Sequence, residues 1–322
     1  MGAVERPLVP VIVGPTGVGK TAVAAALAAL QPITVISADA RQVYRGLDIG
    51  TAKPAAAILE LVPHLGLDLV DPGQRYSAGQ FARDAAGWLE LAQRDGRRAV
   101  VVGGTGFYVR ALAEGLFHEP PLDPAQRERM RAWTGVLESG VLARWAARLD
   151  RAYRGGGRQR AARALEVALL TGRSLSWWQR EARASGVMRP WYIHLTLPRE
   201  ALRRRIAERV AGMLAAGLVA ETRGMLARGV AADAAGFDAI GYREVATMLA
   251  GALPEAQLGE AIARATSQYA KRQETWFRNQ LRSPSSVVRD PTAQIWTLDA
   301  TAEPGVLARA IQERWQDMTD NG

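Results

Sequence analysis

The sequence contains no cysteine and only three histidines. Without cysteine, the chain can form neither a disulfide bond nor a thiolate metal site. The histidines (His64, His118 and His194) are too scattered to indicate a zinc site, and we expect them to be structural. These absences exclude thiol chemistry and leave no zinc centre to predict.

Long apolar runs are also missing. No segment reaches the roughly 20 apolar residues that a membrane span requires, and no charged-then-apolar signal pattern opens the chain. We therefore expect a cytoplasmic protein without membrane contact. At 322 residues and 48% hydrophobic content, the chain is long enough for one main core that carries a sizeable insertion.

The charge is strongly positive. Lys and Arg number 41 against 32 Asp and Glu, a formal net charge of +9, and almost all the cations are arginines. The planar guanidinium suits phosphate oxygens, so the balance indicates a polyanionic partner. The alternative is a general enrichment in Ala, Gly and Arg that reflects coding-sequence composition, and charge alone does not decide between the two.

Short apolar segments rich in β-branched residues recur along the chain. Leu8 to Val13 is the first, and Gly14-Pro15 ends it, which is typical of a buried parallel strand. Further such runs, most of them separated by helix-like stretches, are Ile33–Ser37, Leu67–Val70, Ala99–Val102, Tyr192–Leu197 and Ile295–Leu298. The alternation predicts an α/β fold with a mainly parallel sheet flanked by helices.

One long stretch carries no strand signal. Between Leu116 and Arg189 helical periodicity dominates, with arginine-rich faces. We predict an inserted, all-helical lobe over residues 116–189. Residues 1–115 and 190–322 would then form the core with its C-terminal basic helices.

The strongest local signal lies directly after the first strand. Gly14-Pro15-Thr16-Gly17-Val18-Gly19-Lys20-Thr21 fits the phosphate-binding pattern G-x-x-x-x-G-K-T between a strand and a helix. Glycines let backbone amides surround phosphate oxygens, Lys20 neutralises charge, and the Thr21 hydroxyl can ligate Mg²⁺. The pattern predicts a P-loop NTPase-like core that binds a diphosphate or triphosphate.

Two further polar residues follow predicted strands. Asp39 comes after the second strand, at the edge where open α/β folds place ligands, and could act as a general base. Its alternative role is to cap a helix or order a turn. Thr105 lies in Gly103-Gly104-Thr105-Gly106, where many P-loop enzymes carry an Asp for Mg²⁺, and it could hydrogen-bond an acceptor or belong to a turn.

Several blocks together resemble the tRNA dimethylallyltransferase family, over about residues 8 to 282. Besides the phosphate loop, the matching segments are Ser37–Tyr44, Gly46–Pro54, Gly103–Tyr108, Arg163–Val167, Gly241–Glu244, Ala270–Gln273 and Thr275–Arg278. The resemblance implies transfer of a dimethylallyl group from dimethylallyl diphosphate to N6 of the adenosine 3′ of the anticodon, position 37.

The resemblance also implies roles for individual residues. Asp39 would be the general base, Thr105 would position the amine, and Lys20 and Thr21 with Mg²⁺ would bind the leaving diphosphate. An arginine of the helix after the fifth strand would contact the diphosphate. Arg209 matches that position best, with Arg205 as the second candidate.

The implied partner is the tRNA anticodon stem-loop. The family's contact segments correspond to Asp39, Ala40, Arg41, Gln42, Thr105, Arg127, Gln159, Arg160, Ala161, Ala162 and Arg163. Ala40 and the Gly155–Arg158 loop depart from the family pattern, which puts their own contacts in doubt.

A basic stripe on the helix near the C-terminus would extend this surface. Lys271 and Arg278 share its face with Arg264, whereas Ile262, Tyr269 and Trp276 are expected on its buried side. An ordinary solvated face is the alternative for the stripe.

Two other functions fit parts of the sequence. A small-molecule kinase would use Lys20 to hold ATP and Asp39 to deprotonate a hydroxyl group, but it leaves the basic helical regions without a role. A non-catalytic RNA-binding factor would use the P-loop as a nucleotide switch. We expect the protein to be a monomer.

Overall fold

The computed structural model describes residues 6–117, 122–182, 185–282 and 294–320. Contacts divide the chain into two compact units, one formed by residues 1–113 and 187–322 and the other by residues 114–186. We call them the sheet unit and the helical unit. His118 lies outside the described residues.

Six parallel strands form the sheet, in the order β3-β2-β4-β1-β5-β6. They are β1 (Leu8–Val13), β2 (Ile33–Ser37), β3 (His64–Leu65), β4 (Arg98–Gly103), β5 (Arg189–Thr196) and β6 (Gln294–Asp299). The inner strands are rich in buried Val and Ile, as expected when both faces of a parallel sheet are covered. The predicted α/β class is confirmed.

The helices follow in chain order. They are α1 (Lys20–Ala28), α2 (Ala56–Leu61), α3 (Ala78–Arg94), α4 (Gly106–Glu114), α5 (Pro124–Val136), α6 (Ser139–Leu149), α7 (Gly157–Thr171), α8 (Leu175–Glu181), α9 (Arg199–Ala215), α10 (Leu218–Ala227), α11 (Tyr242–Leu249), α12 (Leu258–Arg282) and α13 (Pro304–Asp320). Two short 3₁₀ helices lie at Ala235–Asp238 and Glu255–Gln257.

One predicted strand is wrong. Leu67–Val70 does not enter the sheet, and the two residues that pair with β2 are His64 and Leu65. The chain turns immediately afterwards at Gly66, whose φ of 89° is left-handed and whose added Cβ would lie 2.9 Å from the Ser37 carbonyl oxygen. This close approach ends the strand before the apolar run, which a hydrophobicity pattern does not reveal.

The buried face of α12 also differs from the prediction. Ile262 is buried as expected, but Tyr269 and Trp276 are only half-buried. The other buried positions on this helix are Leu258, Ala270, Gln273, Phe277 and Leu281. Relative to the prediction, the helix is rotated about its axis. Tyr269, Gln273 and Trp276 consequently face the loops at the carboxyl edge of the sheet.

In the helical unit, α5 to α8 surround a small apolar core. Its buried members are Leu142, Ala146, Ala161, Ala164, Leu165, Val167 and Leu175. Arg158, which the sequence analysis placed in a loop, lies in the first turn of α7. It donates to the Thr134 carbonyl at 2.8 Å and to the Gly135 carbonyl at 2.6 Å, and also to that of Leu137. The guanidinium thereby pairs carbonyls at the end of α5 that the helix itself leaves open.

Within the described ranges, no single helix is long and apolar enough to cross a membrane, although α9 and α10 would meet that length and composition test as a pair bent by 54°.

Gly103, at the end of β4, provides a direct test of the packing. A Cβ on this residue would lie 2.2 Å from the Ala38 carbonyl oxygen, so backbone would have to move. We expect Gly103→Ala to lower the free energy of unfolding by about 2–4 kcal/mol in denaturant titrations. Gly87→Ala, exposed in α3 with no atom near its Cβ, should raise it by about 0.4–1 kcal/mol. Equal effects at the two positions would contradict this account.

Candidate functional site

The phosphate loop connects β1 to α1 and requires glycine at three positions. Gly14, Gly17 and Gly19 have φ values of 146°, 82° and 108°, and an added Cβ at Gly14 would lie 2.5 Å from the Leu195 carbonyl oxygen. Such a backbone directs successive amides towards one point, and the amino end of α1 contributes its positive dipole. The loop has the geometry of an anion site.

Lys20 is held by the loop itself. Its Nζ donates to the carbonyl oxygens of Gly14 and Pro15, both at 2.9 Å. Burial lowers the pKa of the Lys20 ammonium to about 8; the carboxylate of Asp39 opposes this shift and the guanidinium of Arg209 adds to it. An anion in the loop would give this desolvated lysine a counter-charge.

The structure distinguishes the two candidate arginines of α9. Arg209 donates to the Thr16 hydroxyl at 3.1 Å, and burial lowers its pKa while the charge of Asp39 opposes that shift. Arg205 donates instead to the carbonyl oxygens of Val18 (3.1 Å) and Ala300 (3.2 Å). Both arginines therefore contact the phosphate loop, but only Arg209 lies beside the charge of Asp39, whereas Arg205 ties the backbone of the loop at Val18 to Ala300.

Asp39 follows β2 in a segment that is tightly ordered. Its Oδ1 accepts from the Arg41 amide at 2.8 Å, so the turn role considered from the sequence is part of what this carboxylate does. Gln42 accepts from the Ser37 hydroxyl at 2.8 Å and donates to the Ala52 carbonyl at 3.0 Å. Asp39 is half-buried beside Lys20 and Arg209, close enough for its charge to influence both.

Arg41 and Ala40 belong to the same segment. The Arg41 guanidinium pairs with Asp238 at 2.9 Å and donates to the Ala235 carbonyl at 3.2 Å. The Ala40 amide donates to the Thr105 hydroxyl oxygen at 3.0 Å, so the loop after β2 is bound to the loop after β4. Ala40 thus contributes to the link between the two loops through its backbone amide, which does not depend on the identity of its side chain.

The glycines of the Gly103–Gly106 loop allow α12 to approach. A Cβ on Gly104 would lie 2.2 Å from Gln273 Nε2, and one on Gly106 would lie 2.2 Å from the ring of Trp276. The Thr105 amide donates to the Ala38 carbonyl at 3.2 Å. Thr105 is consequently fixed between β2 and α12.

Gln273 is a site residue to which the sequence analysis assigned no role. Its Oε1 accepts from the Thr16 amide and its Nε2 donates to the Gly104 carbonyl, each at 2.9 Å. The side chain is buried. The sequence did contain a signal for this role, because Gln273 shares one helix face with the apolar residues Ile262, Ala270 and Phe277. A glutamine on a buried face needs polar partners, which predicts hydrogen bonds to neighbouring segments.

A groove of about 680 Å³ lies between α9 and α12. Its basic side chains are Arg199, Arg203, Arg264, Lys271 and Arg278, and its acidic ones are Glu260 and Glu274. Lys271 and Arg278 are exposed there, as the predicted stripe required, while Arg264 pairs with Glu260 at 3.0 Å. The groove carries a net positive charge.

The remaining predicted contact residues lie in the helical unit. Glu166 is buried, and its Oε1 accepts from Arg127 at 2.8 Å and from Arg163 at 2.7 Å. Gln159 and Arg160 are exposed at the start of α7. Ala161 is buried in the core of the unit and Ala162 is half-buried, so their methyl groups serve packing.

The structure thus brings Lys20, Thr21, Asp39, Thr105 and Arg209 to one edge of the sheet, since the loops after β1, β2 and β4 and the helix after β5 follow neighbouring strands. Among the described residues, no group of three or more His, Asp and Glu side chains could hold a metal. Thr21 is nevertheless a suitable Mg²⁺ ligand, because Mg²⁺ is commonly bound by one or two protein groups together with phosphate oxygens and water.

Replacement of Gln273 tests the link between the two loops. Gln273→Ala leaves the Thr16 amide and the Gly104 carbonyl without their partner, so we expect the free energy of unfolding to fall by about 2–3 kcal/mol. Gln268→Ala, exposed on the same helix, should change it by less than about 0.5 kcal/mol. Chemical denaturation of both variants measures the difference, and a stable Gln273→Ala protein would contradict the assignment.

Comparison with known proteins identifies the family. The family model described as IPP transferase matches residues 42–280, and the one described as isopentenyl transferase matches residues 7–71. The tRNA dimethylallyltransferase of Halorhodospira halophila is 42% identical over 276 residues, which cover 84% of this chain and 89% of that protein. That of Syntrophobacter fumaroxidans is 37% identical, over 99% of this chain and 90% of its own length.

Solved structures agree with this result. The full-length tRNA isopentenylpyrophosphate transferase from Bacillus halodurans is 30% identical with a TM-score of 0.67, covering 98% of this chain and 99% of that one. A eukaryotic dimethylallyltransferase acting on tRNA is 26% identical with a TM-score of 0.79, covering 98% of this chain and 80% of that one. These matches confirm the resemblance and the P-loop NTPase-like core, and the chain belongs to the tRNA dimethylallyltransferase family.

Proposed function

We propose that the protein transfers a dimethylallyl group from dimethylallyl diphosphate to N6 of the adenosine 3′ of the anticodon, position 37 of tRNA, and releases diphosphate. One observation carries this proposal: in a member of this family, an anion cradle with Lys20 and Arg209 lies beside the carboxylate of Asp39. Leaving-group binding and proton removal can then occur in a single cleft.

In the proposed reaction the N6 lone pair attacks C1 of the dimethylallyl group. The C1–O bond breaks and its electron pair leaves with the diphosphate, while Asp39 takes one proton from N6. Lys20, Arg209 and the loop amides offset the charge that develops on the leaving group. An exocyclic adenine amine is a weak nucleophile, so placement beside C1 supplies much of the remaining acceleration.

Mg²⁺ is the cofactor that we propose for this site. Thr21 follows Lys20 at the start of α1 and would supply a hydroxyl ligand, with the diphosphate and water completing the coordination. When bound, the ion supplies further charge neutralisation at the departing diphosphate. Lys20 and Arg209 also have protein partners, the Gly14 and Pro15 carbonyls and the Thr16 hydroxyl.

We propose two tRNA-binding surfaces. The groove between α9 and α12 would take backbone phosphates through Lys271 and Arg278, and the helical unit, our proposed tRNA-binding lobe, would use Arg127, Gln159 and Arg160 with Arg163. Phosphate contacts supply most of the affinity of basic surfaces for nucleic acid. They would offset the cost, a few kcal/mol, of taking the target base out of its stack.

The residues of the proposed reaction all come from one chain, so a monomer suffices. We propose a cytoplasmic location, because the proposed substrate is tRNA. A small-molecule kinase would use the same phosphate loop. It leaves the basic groove and the exposed polar start of α7 without a ligand, and the family to which the chain belongs argues against it.

The decisive experiment is a transfer assay. The protein is incubated with Mg²⁺, dimethylallyl diphosphate and unmodified tRNA bearing an adenosine 3′ of the anticodon, and nucleosides are analysed by mass spectrometry. We expect a product heavier by one dimethylallyl group. Asp39→Asn should lower the rate by about 10²–10⁴-fold, because the base is lost.

The matched control is Asp233→Asn, an exposed carboxylate that should leave the rate unchanged. If folded wild-type protein binds tRNA and forms no product, the proposed reaction is wrong. Phosphoryl transfer from ATP to a small hydroxyl compound would then favour the kinase.

The pKa of Lys20 predicts how donor binding depends on pH. A bound diphosphate stabilises the ammonium and raises its pKa above the value of about 8 in the free protein. Binding is therefore strongest while Lys20 is protonated, and it weakens as the pH rises through 8, by about tenfold per unit until the pKa of the complex is reached.

Calorimetric titration with dimethylallyl diphosphate in the absence of tRNA, from pH 7 to 9.5, measures this dependence. Lys20→Met should bind more weakly, with an affinity that changes little over the same range. A wild-type affinity independent of pH would contradict the assignment of Lys20 to the diphosphate.

A further inference from the structure

The outer face of α6 carries positive charge that neither the proposed reaction nor the two proposed RNA surfaces use. Arg144 and Arg148 lie one turn apart, on the side opposite to the helix residues that pack in the core of the helical unit. Arg151 follows in the turn after the helix, and all three arginines are exposed. Trp145, between the first two, is 47% exposed. We call Arg144, Trp145, Arg148 and Arg151 the α6 surface.

No negative charge offsets this surface from the neighbouring sequence. From residue 139 to residue 180 the chain contains two carboxylates, Asp150 and Glu166, and both are buried. Asp150, directly after α6, accepts from the Ser176 amide at 2.9 Å and from its hydroxyl at 2.6 Å. Glu166 accepts from arginines of α5 and α7. Within the described ranges, none of the three arginines of the α6 surface forms an ion pair.

Other arginine-bearing helices of the chain are different. Ion pairs one turn apart join Arg131 to Glu128 on α5, Arg204 to Glu208 on α9 and Arg264 to Glu260 on α12. A general enrichment in arginine, or an ordinary solvated face, would produce such mixed surfaces. The helix dipole accounts for Arg148 in the last turn of α6, but not for Arg144 in its middle. The single sign of the α6 surface therefore indicates a polyanionic partner.

The exposed indole narrows the class of polyanion. The guanidinium carbon of Arg148 lies 5.8 Å from the centre of the Trp145 ring, within range of a cation–π contact. A second such pair, Arg173 and Trp177 at 5.2 Å, lies where α8 begins. Arginine beside an exposed aromatic ring is a combination that binds RNA, because the guanidinium meets phosphate and the ring stacks on a base. RNA is therefore the partner that this surface fits.

The position of the α6 surface indicates which part of an RNA it meets. Gln159 and Arg160, at the start of α7, belong to a segment that the family resemblance assigns to tRNA contact. Leu142 and Ala146 of α6 lie in the core that α6 shares with α7, so the arginines of the α6 surface point away from α7. The width of a helix, about 10 Å, lies between the two surfaces. Phosphates bound at the two surfaces belong to different nucleotides.

We propose that the α6 surface binds the phosphate backbone of tRNA outside the anticodon loop, with Trp145 against an adjacent ribose or base. The inference rests on the proposed function, which supplies the tRNA, and adds a third RNA surface to it. Contacts to phosphates position an RNA but carry no sequence information. The α6 surface therefore raises the affinity for tRNA as a class and does not select among tRNAs.

The first test is a titration of unmodified tRNA at several salt concentrations. The combined variant Arg144→Gln, Arg148→Gln, Arg151→Gln keeps polar side chains and removes three phosphate contacts. We expect its affinity to fall roughly 10–100-fold at about 0.1 M salt, and the slope of log K against log salt to fall in magnitude by about 2–3. Arg144→Gln alone should lower that slope by about 1. Circular dichroism checks that the helices of both variants remain folded.

The control variant removes the same charge elsewhere. Arg94→Gln, Arg204→Gln, Arg309→Gln changes exposed positions on α3, α9 and α13, outside the proposed RNA surfaces. Its affinity should change by less than about threefold, because salt screens charges that lie beyond a Debye length. Equal losses in the two variants would show an effect of net charge alone and would overturn the inference. An unchanged affinity of the α6 variant, as expected for a surface that binds an acidic protein, would also overturn it.

Phosphate footprinting locates the contact. Wild-type protein should protect backbone phosphates of bound tRNA both within the anticodon loop and outside it. The α6 variant, at a concentration that saturates the tRNA, should lose protections outside the loop and keep those within it. Loss confined to the loop, or no loss at all, would contradict the proposed location.

The kinetics of prenyl transfer separate binding from chemistry. We expect the KM of the α6 variant for tRNA to rise while kcat at saturating tRNA stays within about twofold of the wild-type value, because a lost uniform binding contact affects KM alone. A lower kcat with an unchanged KM would count against the inference. Absence of transfer by the wild-type protein would instead refute the proposed function. The titration and the footprint need no turnover, so the two failures are distinguishable.

Discussion

The side-chain amide of Gln273 is the interaction on which the rest of the site depends. It accepts from the Thr16 amide of the phosphate loop and donates to the carbonyl of Gly104 in the loop after β4. One buried side chain therefore sets the distance between the anion cradle and the loop that carries Thr105. The glycines of the second loop follow from this constraint, because any Cβ at Gly104 or Gly106 would overlap α12.

The charged residues beside the phosphate loop form a site with an excess of positive charge, which favours an anion. Lys20 and Arg209 are both desolvated, and both pKa values are lowered by burial, while the carboxylate of Asp39 is the charge that opposes the shift in each. A buried cation with incomplete compensation costs stability. The diphosphate of the proposed reaction would offset that cost, which would link its binding energy to the same residues that destabilise the free protein.

Arginines that the family resemblance assigns to RNA contact are likewise held by structural partners. Arg41 pairs with Asp238, and Arg127 and Arg163 share the buried carboxylate of Glu166. Such pairing restricts the rotamers of long side chains before a ligand arrives, which lowers the entropy lost on binding. The helical unit thereby combines a small apolar core with a surface of pre-oriented guanidinium groups.

The sequence by itself determined the parallel α/β class, five of the six strands and the phosphate loop, because local periodicity and glycine spacing carry these features. The resemblance to a prenyltransferase family rested instead on several blocks of matching residues in the same order. The sequence also placed Lys20, Asp39 and Thr105 after the strands that the structure brings side by side. Only the tertiary structure decided which arginine of α9 lies beside Asp39 and the Thr16 hydroxyl, since Arg205 and Arg209 lie one turn apart on the same helix. It also decided that the strand after β2 is His64–Leu65, and that Tyr269 and Gln273 face the site. The rotation of α12 depends on close contacts with glycines more than 160 residues earlier in the chain, and no local pattern encodes such a contact.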